Sequence, residues 1–129
     1  MLKKCMRLLN IGCTNVNLVL EAKEFKCGDI VSGHFHLTGG RMNETIKRLE
    51  CDLLIKDAKK QKVVSKESAA TILMTKTLNN AESVQIAFKY QLPDYLQPSS
   101  DQVVYIFHTR VIFHDNHKGI DYDEIKICC

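Results

Sequence analysis

Val103-Val104-Tyr105-Ile106-Phe107-His108-Thr109-Arg110-Val111-Ile112-Phe113-His114 is the stretch whose reading decides the fold. Every second residue, namely Val103, Tyr105, Phe107, Thr109, Val111 and Phe113, falls on one face. Successive side chains of a strand point to opposite sides, so this period of two marks a half-buried β-strand. The same rhythm spreads outward along the chain. Val84, Ile86, Phe88 and Tyr90 alternate until Leu92-Pro93-Asp94, where proline cannot donate to a ladder. Thr45 to Asp57 places Leu49, Cys51, Leu53 and Ile55 on one face. Ile46 is out of step by one residue, and a β-bulge near Lys47 would return it to that face. Ile30 to Thr38 carries Val31, Gly33, Phe35 and Leu37 on one side and Ser32, His34 and His36 on the other.

Weaker segments complete the pattern. Val16 to Leu20 alternates, and Cys27-Gly28-Asp29, Gly39-Gly40 and Asn79-Asn80 are turn signals. Val63 to Leu78 contains Ala70, Ile72 and Met74 in alternation and reads as one long or two short strands. Asp115 to Gly119 reads as a turn, with Ile125 and Ile127 marking a last strand. Many short strands between turns predict an all-β, antiparallel β-sandwich, because a sheet with one apolar face must cover it with another. Val31, Phe35, Leu37, Leu53, Ile86, Phe88, Phe107 and Val111 are the expected core. Residues 15–129 form the sandwich. Residues 1–14 form an N-terminal segment whose weak amphipathic pattern is compatible with a short helix.

Composition sets bounds on function. With 129 residues and 45% hydrophobic content, the chain suffices for one domain with a real core. The formal net charge is +3, from 18 Lys and Arg against 15 Asp and Glu. The densest basic run is Lys56, Lys59, Lys60 and Lys62, and no aromatic residue interrupts it. It reads as a solvated hairpin tip rather than a nucleic-acid surface, so no nucleic-acid partner is expected. The six cysteines would invite a disulfide framework only on a secretory route. Arg7 and Asn10 interrupt the apolar N-terminal stretch, and Leu9-Asn10-Ile11-Gly12-Cys13 is a poor lipoprotein box. The expectation is a cytoplasmic protein with free thiols. Association of Met1 to Ile11 with a membrane surface ranks last among the readings.

Three stretches together resemble the sporulation-control protein family of bacteria. The first is Val19-Leu20-Glu21, Gly28-Asp29-Ile30-Val31-Ser32-Gly33 and Leu37-Thr38-Gly39-Gly40. The second is Ile46-Lys47-Arg48-Leu49 with Leu53, and the third is Phe88-Lys89-Tyr90-Gln91-Leu92-Pro93. Ile120 to Ile125 is similar to that family's acidic loop before a short strand. The resemblance covers roughly residues 15 to 127. It implies an immunoglobulin-like, arrestin-like sandwich serving signalling or scaffolding, with no shared catalytic residues. Members usually carry two such domains in tandem, and this chain resembles the first. A protein partner is therefore expected, and a homodimer that covers the surface a second domain would occupy.

Chemistry-bearing motifs are sparse. There is no C-x-x-C, G-x-S-x-G, phosphate loop or dinucleotide fingerprint, so neither a catalytic residue nor an organic cofactor is expected. The sharpest local feature is the histidines. His34 and His36 share one face, and His108 and His114 share another, each opposite the Phe-rich side. Neighbouring strands would let these four converge on a metal such as zinc, which favours imidazole, thiolate and carboxylate ligands. The simpler reading, polar residues on solvent-facing positions, outweighs it. His114, Asp115, His117, Asp121 and Asp123 form a second polar cluster, read as a capped turn. The leading functional expectation is a non-catalytic interaction or scaffold module in sporulation control or stress signalling. The alternative is a metal-binding or thiol-sensing sandwich using surface histidines.

Overall fold

The computed structural model describes residues 14–41 and 43–128. The N-terminal segment expected over residues 1–14 therefore lies almost wholly outside the described residues. Eight strands run in order: β1 (Asn15–Leu20), β2 (Glu24–Phe25), β3 (Ile30–Thr38), β4 (Glu44–Asp57), β5 (Lys62–Leu78), β6 (Ser83–Gln91), β7 (Val103–Phe113) and β8 (Lys118–Ile127). They form two sheets, one ordered β1-β3-β6 and the other β2-β8-β7-β4-β5. The fold is the all-β sandwich that the alternation predicts.

The expected inward faces are the ones that meet. Val31, Phe35, Leu37, Leu53, Phe88, Phe107 and Val111 are buried. Ile86 is only partly buried, because β6 is the outer strand of its sheet. Aromatic rings tie the layers together. Phe35 meets Phe88 edge-on at 5.2 Å between centroids within the small sheet. Phe88 meets Phe107 across the sandwich at 5.5 Å, and Tyr90 meets Phe107 at 6.1 Å. Such edge-to-face pairs put a positive ring edge on a negative ring face and add to the burial of both.

The bulge expected near Lys47 is present. The register of β4 shifts between Ile46 and Arg48 against both β5 and β7, and Ile46 is fully buried beside Leu49. Gly33 sits where β1 passes close over β3. A Cβ there would lie 2.1 Å from the Val19 carbonyl oxygen, so only glycine fits.

Of the two readings of Val63 to Leu78, one long strand or two short ones, the single strand holds, as the 17-residue β5. Two further expectations are corrected. The last strand is ten residues long, so Asp121 and Asp123 lie within β8 rather than in a loop before it. The sandwich is also not purely antiparallel, because the short β2, which carries no alternation to read, pairs parallel with β8.

Phe107 touches two rings of β6 in the opposing sheet, Phe88 and Tyr90, so Phe107→Ala removes the hub of the core. It is expected to cost about 3–5 kcal/mol, transfer and cavity together, read as a lowered denaturant midpoint with an unchanged slope.

Candidate functional site

Strand pairing decides where the polar residues gather. β4 and β7 are adjacent in space though far apart in sequence, with Glu50 opposite Arg110 and Asp52 opposite His108. On this outer face of the large sheet, the Arg110 Nη2 donates to Glu50 Oε1 at 2.8 Å and to Asp52 Oδ2 at 3.0 Å. Arg48 Nε donates to Glu50 Oε2 at 2.6 Å. Hydrogen bonds from Arg110 and then Arg48 hold the Glu50 carboxyl below the usual glutamate range. Two guanidiniums and two carboxylates thus neutralise one another in the middle of the sheet.

His108 completes this network. Arg110 Nη1 lies 3.1 Å from His108 Nδ1. A guanidinium only donates, so Nδ1 must accept and the proton sits on Nε2. That Nε2 is buried without a partner among the described residues. The ring stacks on Tyr122, 4.6 Å between centroids and 9° between planes. Burial, then the Arg110 charge, pushes the His108 pKa below the ordinary histidine value. A protonated ring would lose its bond from Arg110, so the imidazole is held neutral.

The four histidines do not converge. His34 and His36 lie on β3 of the small sheet, whereas His108 lies on β7 of the large one. His34 and His36 face outward from one sheet and His108 from the other, which places them on opposite sides of the sandwich. His36 Nε2 lies 2.6 Å from Ser83 Oγ on β6. His114 is exposed in the turn after β7. Among the described residues, no three His, Cys, Asp or Glu side chains gather into a metal-binding group. The second cluster also disperses. Asp115 caps its turn by accepting the His117 backbone N–H at 3.0 Å, as the turn reading expects. Asp121 and Asp123 point inward from β8 instead.

That inward pair is a feature the sequence reading missed. Asp121 Oδ2 accepts the Leu18 backbone N–H at 2.9 Å, joining β1 of one sheet to β8 of the other. Asp123 hydrogen-bonds Asp121, and its Oδ2 is buried with no partner among the described residues. Burial, then the hydrogen bond to Asp121, pushes the Asp123 carboxyl up to about 7, with Lys23 opposing weakly. The signal available in sequence was the i, i+2 spacing of Asp121 and Asp123 in step with Ile125 and Ile127.

Cysteine chemistry is restricted. Cys51 is buried and accepts a long contact from Thr109 Oγ1 at 3.5 Å. Burial pushes its thiol up to about 11, so it stays protonated and is not a nucleophile. Cys51 and Cys128 are free, as expected, whereas Cys27 is disulfide-bonded and departs from the free-thiol expectation. Among the described residues, no helix is long and apolar enough to cross a membrane.

A third feature is the open side of the sandwich. The β1–β8 side is tied by Asp121, but the outer strands β5 and β6 on the other side do not pair with each other. Ala70, Ile72 and Met74 on β5, and Val84, Ile86 and Tyr90 on β6, are only partly buried there. At the Lys62 end of β5, a cavity of about 280 Å³ opens between Ile55, Val64, Tyr95, Leu96, Val103 and Tyr105.

Comparison with known proteins follows this geometry. A family model described as SpoOM protein matches residues 2–129. The solved structure of the sporulation control protein Spo0M from Bacillus subtilis is 21% identical with a TM-score of 0.72, and the match covers 92% of this chain and 51% of that one. The chain thus spans about half the length of that protein. An alkylpurine DNA glycosylase, AlkC, from Pseudomonas fluorescens, solved on DNA with an abasic site analog, is 13% identical with a TM-score of 0.57, over 90% of this chain and 30% of that one. The CARDB domain of a Pyrococcus furiosus protein, solved with di-metal ions, is 8% identical with a TM-score of 0.51, over 89% and 87%. At these identities the likeness is one of fold. No curated protein sequence matches the chain significantly.

The carboxyl pair gives a signed pH dependence. The folded pKa of Asp123 lies above the ordinary 3.8, so the folded state holds a proton that the unfolded chain has already lost. Stability from this group is present at acid pH and is lost as pH rises from about 4 to about 7. Asp123→Asn mimics the protonated acid. It should raise the melting temperature at pH 8 and change it little at pH 4, measured by thermal scans across that range.

Proposed function

The chain belongs to the SpoOM protein family, and from that premise we propose that it is a non-catalytic protein-interaction module with a regulatory role in sporulation control or stress signalling. The observation that carries this reading is the open side of the sandwich. Among the described residues, β5 and β6 each leave a row of backbone N–H and C=O groups without a strand partner, and partly buried apolar side chains line the gap between them. Such edges bind other polypeptides by strand addition, and native proteins cover or blunt them when they do not.

The neighbouring features support binding over chemistry. The charged groups on the outer face neutralise one another, with Arg110 between Glu50 and Asp52. Cys51, the core thiol, is held protonated, which weakens the thiol-sensing alternative. The separation of His34 and His36 from His108 and His114 weakens the metal-binding one.

Self-association is part of the proposal. Two copies pair through part of the open side, and the basic hairpin around Lys59 and Lys60 stays outside the contact, because like charges across a two-fold axis repel. Sedimentation in reducing buffer is expected to show concentration-dependent dimer formation at micromolar protein; a monomer throughout overturns the pairing. The wider role is read by crosslinking in cells of the native host and by disrupting the gene there. Protein adducts on strand edges and altered sporulation or stress survival are the expected results. Unchanged survival and sporulation, or turnover of a small molecule by the purified chain, overturn the reading.

A further inference from the structure

We propose that the Lys62–Ala70 half of β5 is a docking edge for an extended acidic peptide segment of a partner protein, with one apolar side chain of that segment seated in the cavity beside Val64 and Tyr95. The proposal rests on the interaction-module reading and names its surface and ligand class.

The first observation is the edge itself. Among the described residues, β5 pairs with β4 on one side only. Its other side offers a ladder that only another extended polypeptide can complete, residue by residue.

The second is a net positive charge gathered at one end. Lys56, Lys59, Lys60, Lys62 and Lys66 lie on or beside this half of the strand. None of them forms an ion pair among the described residues, whereas Lys76 near the far end is paired with Glu82 at 2.9 Å. The carboxylates within the stretch are otherwise engaged. Asp57 accepts the backbone N–H groups of Lys59 and Lys60 at 3.0 and 3.1 Å and so builds the turn. Glu67 accepts the Tyr95 hydroxyl. Lysines that merely guard an edge against aggregation would be expected along its length. Here they gather where the cavity opens.

The third is that cavity. At about 280 Å³, it falls just below the roughly 300–1,000 Å³ of sites for drug-sized ligands, and it suits a side chain instead. Its wall is mostly apolar, with Lys56 and Asp57 at the rim. Tyr95 is 70% exposed and Val64 is 56% exposed at the mouth. Val64 and Ser65 belong both to the strand and to the cavity wall, so a peptide paired with β5 passes directly over the opening. A nucleic acid or an anionic membrane would answer the lysines but leave the strand's backbone groups unmet. This favours the peptide.

The test uses the whole chain and a soluble fluorescent peptide alternating glutamate and threonine with one central leucine. Binding is expected, weakening as salt rises. Amide hydrogen exchange is expected to slow along β5 from Lys62 to Ala70 and not along β1 or β6. Joint replacement of Lys59, Lys60 and Lys62 by Glu, all at exposed positions, should weaken binding about tenfold or more with an unchanged circular dichroism spectrum. Tyr95→Ala should weaken the leucine peptide and leave an all-threonine version unaffected. A peptide with lysine for glutamate, or with prolines in place of threonines, should not bind. Equal binding of the proline peptide, or of a DNA duplex or anionic vesicles without new protection of β5, overturns the proposal. No peptide binding, with partner crosslinks in cells mapping to β1 or β6, also overturns it and leaves the interaction-module reading standing.

Discussion

Phe88 from the small sheet and Phe107 from the large sheet meet edge to face between the layers. The rest of the structure depends on that contact. Phe35 packs on one ring and Tyr90 on the other, so four aromatic residues from three strands form one cluster across the sandwich. Strand alternation then dictates that whatever is not in this layer faces out. The histidines, the arginine–carboxylate network and the lysine hairpin are all displaced to the surface by the same geometric rule.

The two sides of the sandwich are finished in opposite ways. On one, Asp121 reaches from β8 to the backbone of Leu18 in β1, and Gly119 leaves room for the strands to approach. The cost is a buried carboxyl pair, one member of which lacks a full set of partners among the described residues. On the other side, β5 and β6 do not pair, and among the described residues no side-chain hydrogen bond joins one strand to the other. In the reading proposed above, the open seam is the binding surface. The likeness in fold to the Bacillus subtilis sporulation control protein extends over about half of that protein's length.

The outer face of the large sheet has a different character. Arg110 is shared by Glu50, Asp52 and the neutral His108, and Tyr122 covers the imidazole. The two arginines and two carboxylates there counter one another. The face is a rigid, self-satisfied surface, in contrast to the lysines at the hairpin, whose neighbouring carboxylates are taken up by turn formation and by Tyr95.

The sequence by itself determined the sandwich, most of its strands, the bulge at Lys47 and the inward set around Phe35, Phe88 and Phe107. All of these follow from alternation within a single strand, where one misplaced residue would turn an apolar side chain outward. It also carried the turn from Asp115 to Gly119, which is local. Only the tertiary structure decided which strands lie side by side. Pairing of β4 with β7 is what brings Glu50 and Asp52 to Arg110, and assignment of β3 and β7 to different sheets is what separates the histidines. The inward turn of Asp121 and Asp123 was hidden because polar residues at buried positions break the very pattern by which strands are read. The free edge of β5 was hidden for a related reason. Its alternation is like that of a paired strand, and whether a ladder has a second neighbour depends on contacts between residues far apart in the chain.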